Sequence, residues 1–191
     1  MSGRVKIEIV PYNPEWLAEF HAIAQRLRGA VGDAALTIHH IGSTSVPGLA
    51  AKDVIDLEMG VSDFSLPWKE RVEALGFEYR EYLRDHCPPG MEVSSEQLEK
   101  RFFTARGRPA NLHIRIVGRF NYRYALLFRD YLRTHQDAAN AYGAVKKGLA
   151  RRFAEDPESY YTIKDPVCDC IMSGAFDWAR NTNWSPGPSD A

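Results

Sequence analysis

The chain has no apolar run approaching the roughly 18–20 residues that a membrane-spanning helix needs. Its opening, MSGRVKIEIVPYNPEW, lacks the apolar centre of a secretory leader. Cysteine is scarce, with 3 residues in all, an odd number. Cys168 and Cys170 lie two apart in a helical pattern, where side chains diverge and cannot bridge. Cys87 beside His86 matches no usual zinc spacing. A reduced, cytoplasmic protein is expected. Neither sign of charge prevails: 24 Lys+Arg stand against 25 Asp+Glu, a net charge of -1. A dedicated duplex-DNA binder is therefore not expected, although a local basic cleft remains open. There is no Gly-x-Ser-x-Gly elbow, so Ser43 or Ser45 near His39 and His40 does not indicate a hydrolase. No internal repeat or low-complexity tract interrupts the sequence.

What is present suits one domain. The 191 residues are 45% hydrophobic and 26% charged, and a chain of this size buries about 70% of its unfolded surface without disulfides or metal. Val5–Val10 alternates as a half-buried strand should. Asn13-Pro14-Glu15-Trp16 reads as a helix start, with Trp16, Phe20, Ile23, Ala24 and Leu27 on its apolar face and an end near Gly32. Strands are expected at Leu36–Ile41, Val54–Met59 and Phe77–Leu83, with a helix over Trp68–Leu75. Residues 84–98, with Pro88-Pro89-Gly90 in the middle, read as a long loop of the kind that forms lids. Phe102–Ala105 and Leu112–Val117 form a hairpin pattern. From Asn121 to about Arg180 the pattern is helical, broken near Thr134-His135 and at Asp156-Pro157. The expected organisation is an α+β fold, a single domain over residues 1–180. It has a mixed-sheet half (1–117), a helical half (121–180) and a flexible tail (181–191).

One stretch carries chemistry. Ile41 ends a strand and runs into Gly42-Ser43-Thr44-Ser45, a turn of small residues. Amides and hydroxyls in such a turn are phosphate donors, and glycine lets a ligand approach the backbone. Ten residues on, Asp56 and Glu58 lie two apart on a strand. They share one face, with Cα atoms about 6.6 Å apart, while Leu57 and Met59 face a core. Two such carboxylates can hold Mg²⁺ ions that bind triphosphate oxygens. An acid-x-acid pair is also ordinary decoration of a solvated edge.

The run IHHIGSTSVPGLAAK, with Asp56 four residues on, resembles the GrpB-like family, a branch of the nucleotidyltransferase-fold superfamily. The resemblance takes in VPYNPEW, the strand around Leu112-His113-Ile114, Phe128–Arg133, Tyr142 with Lys146, and Tyr161-Thr162-Ile163-Lys164. It implies a nucleotidyltransferase-like, polymerase-beta-like sheet core followed by helices. It also implies a site at Gly42, Ser43, Thr44 and Ser45, with Asp56 and Glu58 as catalytic acids and metal ligands. The superfamily's third acid is missing, and its place looks occupied by His113. Asp53 stands where the family pattern usually has Pro, and Asn111-Leu112-His113 stands where it often reads His-Leu-His. Some members of the family occur fused to dephospho-CoA kinase.

His113 is then either a metal ligand or general base beside Asp56, or a structural histidine bonded in the sheet. Lys146 and Lys164, which fall in the matching motifs, are the favoured phosphate-binding cations among the basic residues of the helical half. Arg129-Asp130 is expected to brace the two halves through an ion pair. The resulting expectation is a Mg²⁺-dependent nucleotidyltransferase-type enzyme with a nucleoside triphosphate and a small-molecule acceptor as substrates. The alternative is a non-catalytic nucleotide- or phosphate-binding module associated with another enzyme. No membrane partner is expected, and a homodimer is left open.

Overall fold

The computed structural model describes residues 6–65, 69–81 and 84–191. The element order is α1 (Glu15–Val31), β1 (Thr37–Ile41), β2 (Ile55–Val61), α2 (Lys69–Glu73), β3 (Phe77–Arg80), β4 (Arg101–Ala105), β5 (Ala110–Ile116), α3 (Phe120–Thr134), α4 (Gln136–Phe153) and α5 (Pro157–Thr182). The strands form one five-stranded sheet in the order β1-β2-β5-β4-β3. β2 and β5 run parallel at its centre, and the other pairs are antiparallel. The fold is α+β, as expected.

Each face of the sheet follows from period-two alternation on the central strands. Leu57 and Met59 of β2 and Leu112 and Ile114 of β5 pack with Trp16, Phe20, Ala24 and Leu27 of α1. Burying each large apolar side chain contributes about 1.5–3 kcal/mol, so this seam fixes α1 on the sheet. Asn13 accepts a hydrogen bond from the Glu15 amide at 3.0 Å, which supplies the helix start. The opposite face carries Asp56 and Glu58 on β2 and Asn111, His113 and Arg115 on β5. Helices α3, α4 and α5 stand over it. The break before α5 is made by Asp156, whose carboxylate accepts from the Ser159 amide at 3.1 Å, followed by Pro157 in the first turn.

Several elements differ from the sequence pattern. Of the strand expected over Val5–Val10, only Val10 pairs among the described residues, in a single bridge to Ala51. Ile7 instead donates to the Ala154 carbonyl at 2.8 Å and packs with Ala150 and Tyr160. The alternation therefore serves a segment clamped between the two halves. The expected helix and strand over Trp68–Leu75 and Phe77–Leu83 shorten to α2 and β3; Trp68, Tyr82 and Leu83 lie outside the described residues. The long loop is pinned at its base by an Arg84–Glu99 bridge and by Asp85 N–H to Leu98 C=O at 2.8 Å.

The tail expected to be flexible over 181–191 is docked. Ser189 Oγ accepts from the Ile38 amide at 2.8 Å, and the Asp190 amide donates to the Ile38 carbonyl at 3.1 Å. The tail thus covers the outer edge of β1. Asp190 accepts from Arg129 at 2.7 Å and from the His40 amide at 2.9 Å. Arg129 also donates to the His40 carbonyl at 3.1 Å and so ties α3 to the sheet. The expected Arg129–Asp130 ion pair forms at 2.7 Å, but between neighbours on α3, so it is Arg129 and not the pair that links the halves. Burial works against the Asp190 carboxylate, but His39 and Arg129 hold its pKa down to about 2.

Asp190→Asn should therefore lose about 1.5–3 kcal/mol of stability at pH 7, the contribution of a hydrogen bond to a charged group. A carboxylate with a depressed pKa stabilises above its unfolded value and loses that contribution as pH falls towards the folded value. The gap between the two proteins' denaturation midpoints should close between about pH 4 and pH 2. Equal midpoints at pH 7 would show the docked tail to be energetically idle.

Candidate active site

A cavity of about 460 Å³ lies between the polar face of the sheet and helices α3–α5. That volume suits a ligand of nucleotide or metabolite size. At one end lies the turn after β1. Gly42 has φ +69° and ψ −172°, a conformation essentially confined to glycine. A Cβ on Gly42 would sit 2.9 Å from the Asp56 Cβ, inside contact distance. The turn can cross over the Asp56 carboxylate only because the side chain is absent. Ser43 stays open to the cavity. Thr44 and Ser45 are buried, and their hydroxyls serve the fold: Thr44 Oγ1 meets His40 Nε2 at 3.0 Å, and Ser45 Oγ donates to the Gly42 carbonyl at 2.6 Å. Of the expected Gly42–Ser45 ligand set, Ser43 is the one whose hydroxyl bonds to the helical side of the cleft, through Lys146; Thr44 and Ser45 brace the turn.

Asp56 lines the cavity and accepts from Asn111 Nδ2 at 2.8 Å. Burial raises its pKa above the usual carboxylate value, opposed by Asn111 and by Lys52, Lys164 and Lys146. Lys146, reached from α4, is 3% exposed and donates to Ser43 Oγ at 2.8 Å. Burial, then the neighbouring charges of Lys164 and Lys52, lower its pKa to about 7. Lys164 also lines the cavity and pairs with Asp165 at 2.7 Å. Ser43, Asp56, Lys146 and Lys164 are thus brought to one end of one cleft, from sequence positions more than 100 residues apart.

Glu58 is placed differently from its expected role as a metal ligand. It is fully buried, and its Oε1 accepts from Arg115 at 2.7 Å. Burial pushes its pKa up to about 7 despite that partner. His113 is also displaced from the position beside Asp56. In the parallel register Asp56 faces Asn111, and His113 faces Glu58.

The inner end of the cleft is built by residues that carried no motif. Asp85, at the base of the long loop, accepts from Arg115 at 2.9 and 3.2 Å, from Lys100 at 2.6 Å and from Asn121 at 3.1 Å. Against its burial, Arg115 and Lys100 hold its pKa well below the usual carboxylate range. The alternation Asn111–His113–Arg115 was a readable signal for a polar strand face. Asp85 had none, since a loop has no period.

The donor set offers a metal ion little protein ligation of its own. Among the described residues, no group of three or more His, Cys, Asp and Glu side chains is arranged to hold a metal. Asp56 is the carboxylate that lines the cavity at the turn, one oxygen bonded to Asn111, and the charges of three lysines act on it. Mg²⁺ is commonly held by one or two carboxylates together with substrate phosphates. Asp56 suits that arrangement, with the ion arriving on its anionic ligand.

Lys146 supplies a pH test. Below pH 7 its amine is charged in both states, and the burial cost falls on the folded protein. Between about 7 and its ordinary 10.5, the unfolded chain keeps a proton that the folded chain gives up, so stability rises with pH. The denaturation midpoint of the wild type should rise relative to Lys146→Met between pH 7 and pH 9. A constant gap would mean that the buried amine titrates normally.

The family model described as GrpB protein matches residues 6–173. A dephospho-CoA kinase of Mycolicibacterium paratuberculosis is 35% identical, over 96% of this chain and 49% of that protein. The chain therefore spans about half the length of that relative. The UPF0157 protein PA4798 of Pseudomonas aeruginosa is 34% identical, over 92% of this chain and 70% of that protein. The crystal structure of a conserved GrpB protein from Enterococcus faecalis superposes with a TM-score of 0.75 at 29% identity, covering 91% of this chain and 99% of that one. With its family model spanning most of the chain and a relative of similar extent, the protein belongs to the GrpB family.

Proposed function

We propose that the cleft binds a nucleoside triphosphate together with Mg²⁺, and that the protein is a nucleotidyltransferase-type enzyme acting on a small-molecule acceptor. The observation that carries this reading is the convergence of the Ser43 hydroxyl, Lys146 and Lys164 around Asp56 beneath the Gly42 turn. Ser43 donates its hydroxyl hydrogen to a phosphate oxygen, and the two lysines offset the remaining charge. An arriving anion draws Lys146 towards its charged form, reversing the effect of its burial and its cationic neighbours. Asp56 is the residue that holds the ion, and Mg²⁺ when bound supplies charge neutralisation of the phosphates. The same cations face the charge that develops on a leaving pyrophosphate. The walls of the cleft, formed by Phe120, Phe128 and Tyr160 among others, exclude water from the ends of the ligand.

A second reading has its own support. Asn111 stands opposite Asp56 where a further acid would help hold metal, and Glu58 is committed to Arg115. Those two facts favour a non-catalytic module that binds the nucleotide without transferring it. One relative is a dephospho-CoA kinase about twice the length matched by this chain, which is consistent with such a module working beside another enzyme.

A melting panel with the four nucleoside triphosphates separates these readings from an empty one. At a ligand concentration about 100 times the dissociation constant, stabilisation is about 2.7 kcal/mol, a rise of roughly 5–10 °C for a chain of this size. Ser43→Ala should weaken binding by about 10–100-fold, the equivalent of roughly 1.5–3 kcal/mol for a hydrogen bond to a charged group. Asp56→Asn should erase the Mg²⁺-dependent part of the shift and leave the Mg²⁺-independent part. No shift with any triphosphate at millimolar concentration would remove both readings. A shift with no pyrophosphate release across a panel of small alcohols and amines favours the binding module.

A further inference from the structure

The inner end of the cleft differs in charge from the turn. Two cations, Lys100 and Arg115, meet two carboxylates there: Lys100 to Asp85 at 2.6 Å, and Arg115 to Asp85 at 2.9 Å and to Glu58 at 2.7 Å. Asp85, and Glu58 where it is ionised, offset that positive charge, so an anion gains less here than at the turn. His113 lies among these groups. Its Nδ1 is 3.5 Å from Lys100 Nζ and 3.4 Å from Arg115 Nη2. Ammonium and guanidinium groups donate and do not accept. Nδ1 must therefore present its lone pair, and a neutral imidazole then carries its proton on Nε2. The doubly protonated ring would set an N–H against two cations. Burial, followed by Arg115 and Lys100, pushes its pKa well below the ordinary 6.5. A general base acting through Nε2 would need the other tautomer, with its N–H turned against Lys100 and Arg115. Phe102 packs against the ring, centroids 4.8 Å apart, and holds its plane. His113 is half-buried and lines the cavity, and among the described residues its hydrogen bonds are made through Nδ1, not Nε2.

We infer that His113 presents a fixed Nε2–H donor to the inner end of the cleft, making it a subsite for an uncharged hydrogen-bond acceptor. The acceptor is a carbonyl or hydroxyl oxygen on the part of the ligand remote from its phosphates, such as a sugar or base. The inference rests on the reading that phosphates lie at Ser43. It assigns His113 ligand orientation in place of proton abstraction. The cleft then favours a ligand that is anionic at one end and polar but neutral at the other.

Two measurements test it. Long-range proton–nitrogen spectra of the ¹⁵N-labelled protein at neutral pH should show the His113 ring protonated at Nε2 and bare at Nδ1. Inorganic tripolyphosphate and the nucleoside triphosphates should then be titrated into wild type, His113→Phe and His113→Gln. His113→Phe should leave tripolyphosphate affinity within about twofold, and weaken the preferred nucleoside triphosphate by about 3–10-fold, the range of one neutral hydrogen bond. His113→Gln, which keeps a donor, should recover part of that loss. A ring protonated at Nδ1, or equal weakening of both probes in His113→Phe, would overturn the donor assignment while the phosphate site stands. Failure of wild type to bind either probe would overturn the phosphate site, and the subsite with it.

Discussion

Arg115 is a guanidinium buried on the central strand of the sheet, 5% exposed. A charge in that position costs several kcal/mol unless it is paired and its donors are used. Its requirement organises much of what surrounds it. Glu58, one strand over, becomes its partner, which withdraws that carboxylate from metal binding. Asp85 becomes its second partner, which fastens the start of the long loop to the sheet. Lys100 and Asn121 complete the Asp85 contacts, so β4 and α3 are drawn to the same point. Placing two cations beside His113 then sets which ring nitrogen can carry a proton. The inner half of the cleft is a consequence of neutralising one residue.

The outer half is governed by a steric constraint. Gly42 lies so close to Asp56 that any Cβ would collide with the carboxylate. The turn must run directly over the next strand, which brings the Ser43 hydroxyl and the Asp56 carboxylate to the same place. Behind the turn, Arg133 donates to the Ser45 carbonyl at 3.0 Å and Arg129 to the His40 carbonyl at 3.1 Å. These contacts come from α3, so the helical half supports the turn from behind while Lys146 of α4 reaches it from the front. The five strands fall between Thr37 and Ile116 and helices α3–α5 between Phe120 and Thr182, yet the cleft lies only where the two sets of elements meet.

Residues whose partners are set by periodicity were legible. Alternation on β2 told which side Leu57 and Met59 would take, and hence that Asp56 and Glu58 share the other. The Gly42-Ser43 turn was read from its small residues, and Lys146 came from the family resemblance; both line one cleft. What could not be read was commitment: a face can be assigned from spacing, but whether Glu58 meets an ion or Arg115 depends on a residue 57 positions away. Asp85 was hidden for the same reason, being a loop residue that acts through contacts at 15, 30 and 36 positions' separation. The Pro- and Gly-rich tail was misjudged because composition reports the cost of ordering a segment and not the gain. Here the gain is an exposed strand edge and a buried Arg129, both of which the tail satisfies.

The two ends together constrain how a ligand enters. At the turn, the fields of Lys52, Lys146 and Lys164 act on one carboxylate, so a bare divalent ion meets net repulsion. An anion alone meets Asp56. The lysines favour negative charge and Asp56 favours positive charge. On the proposed reading, an ion arriving on phosphate oxygens would satisfy both in one event, with Asp56 holding the ion and Ser43 and the lysines holding the oxygens. The matched charges around Asp85 leave no such demand at the inner end, where a charged group would have to shed water for little return. For the proposed ligand, the distribution of charge along the cleft would therefore select orientation before shape does, with phosphates and ion at the Gly42 turn and the neutral polar part against His113.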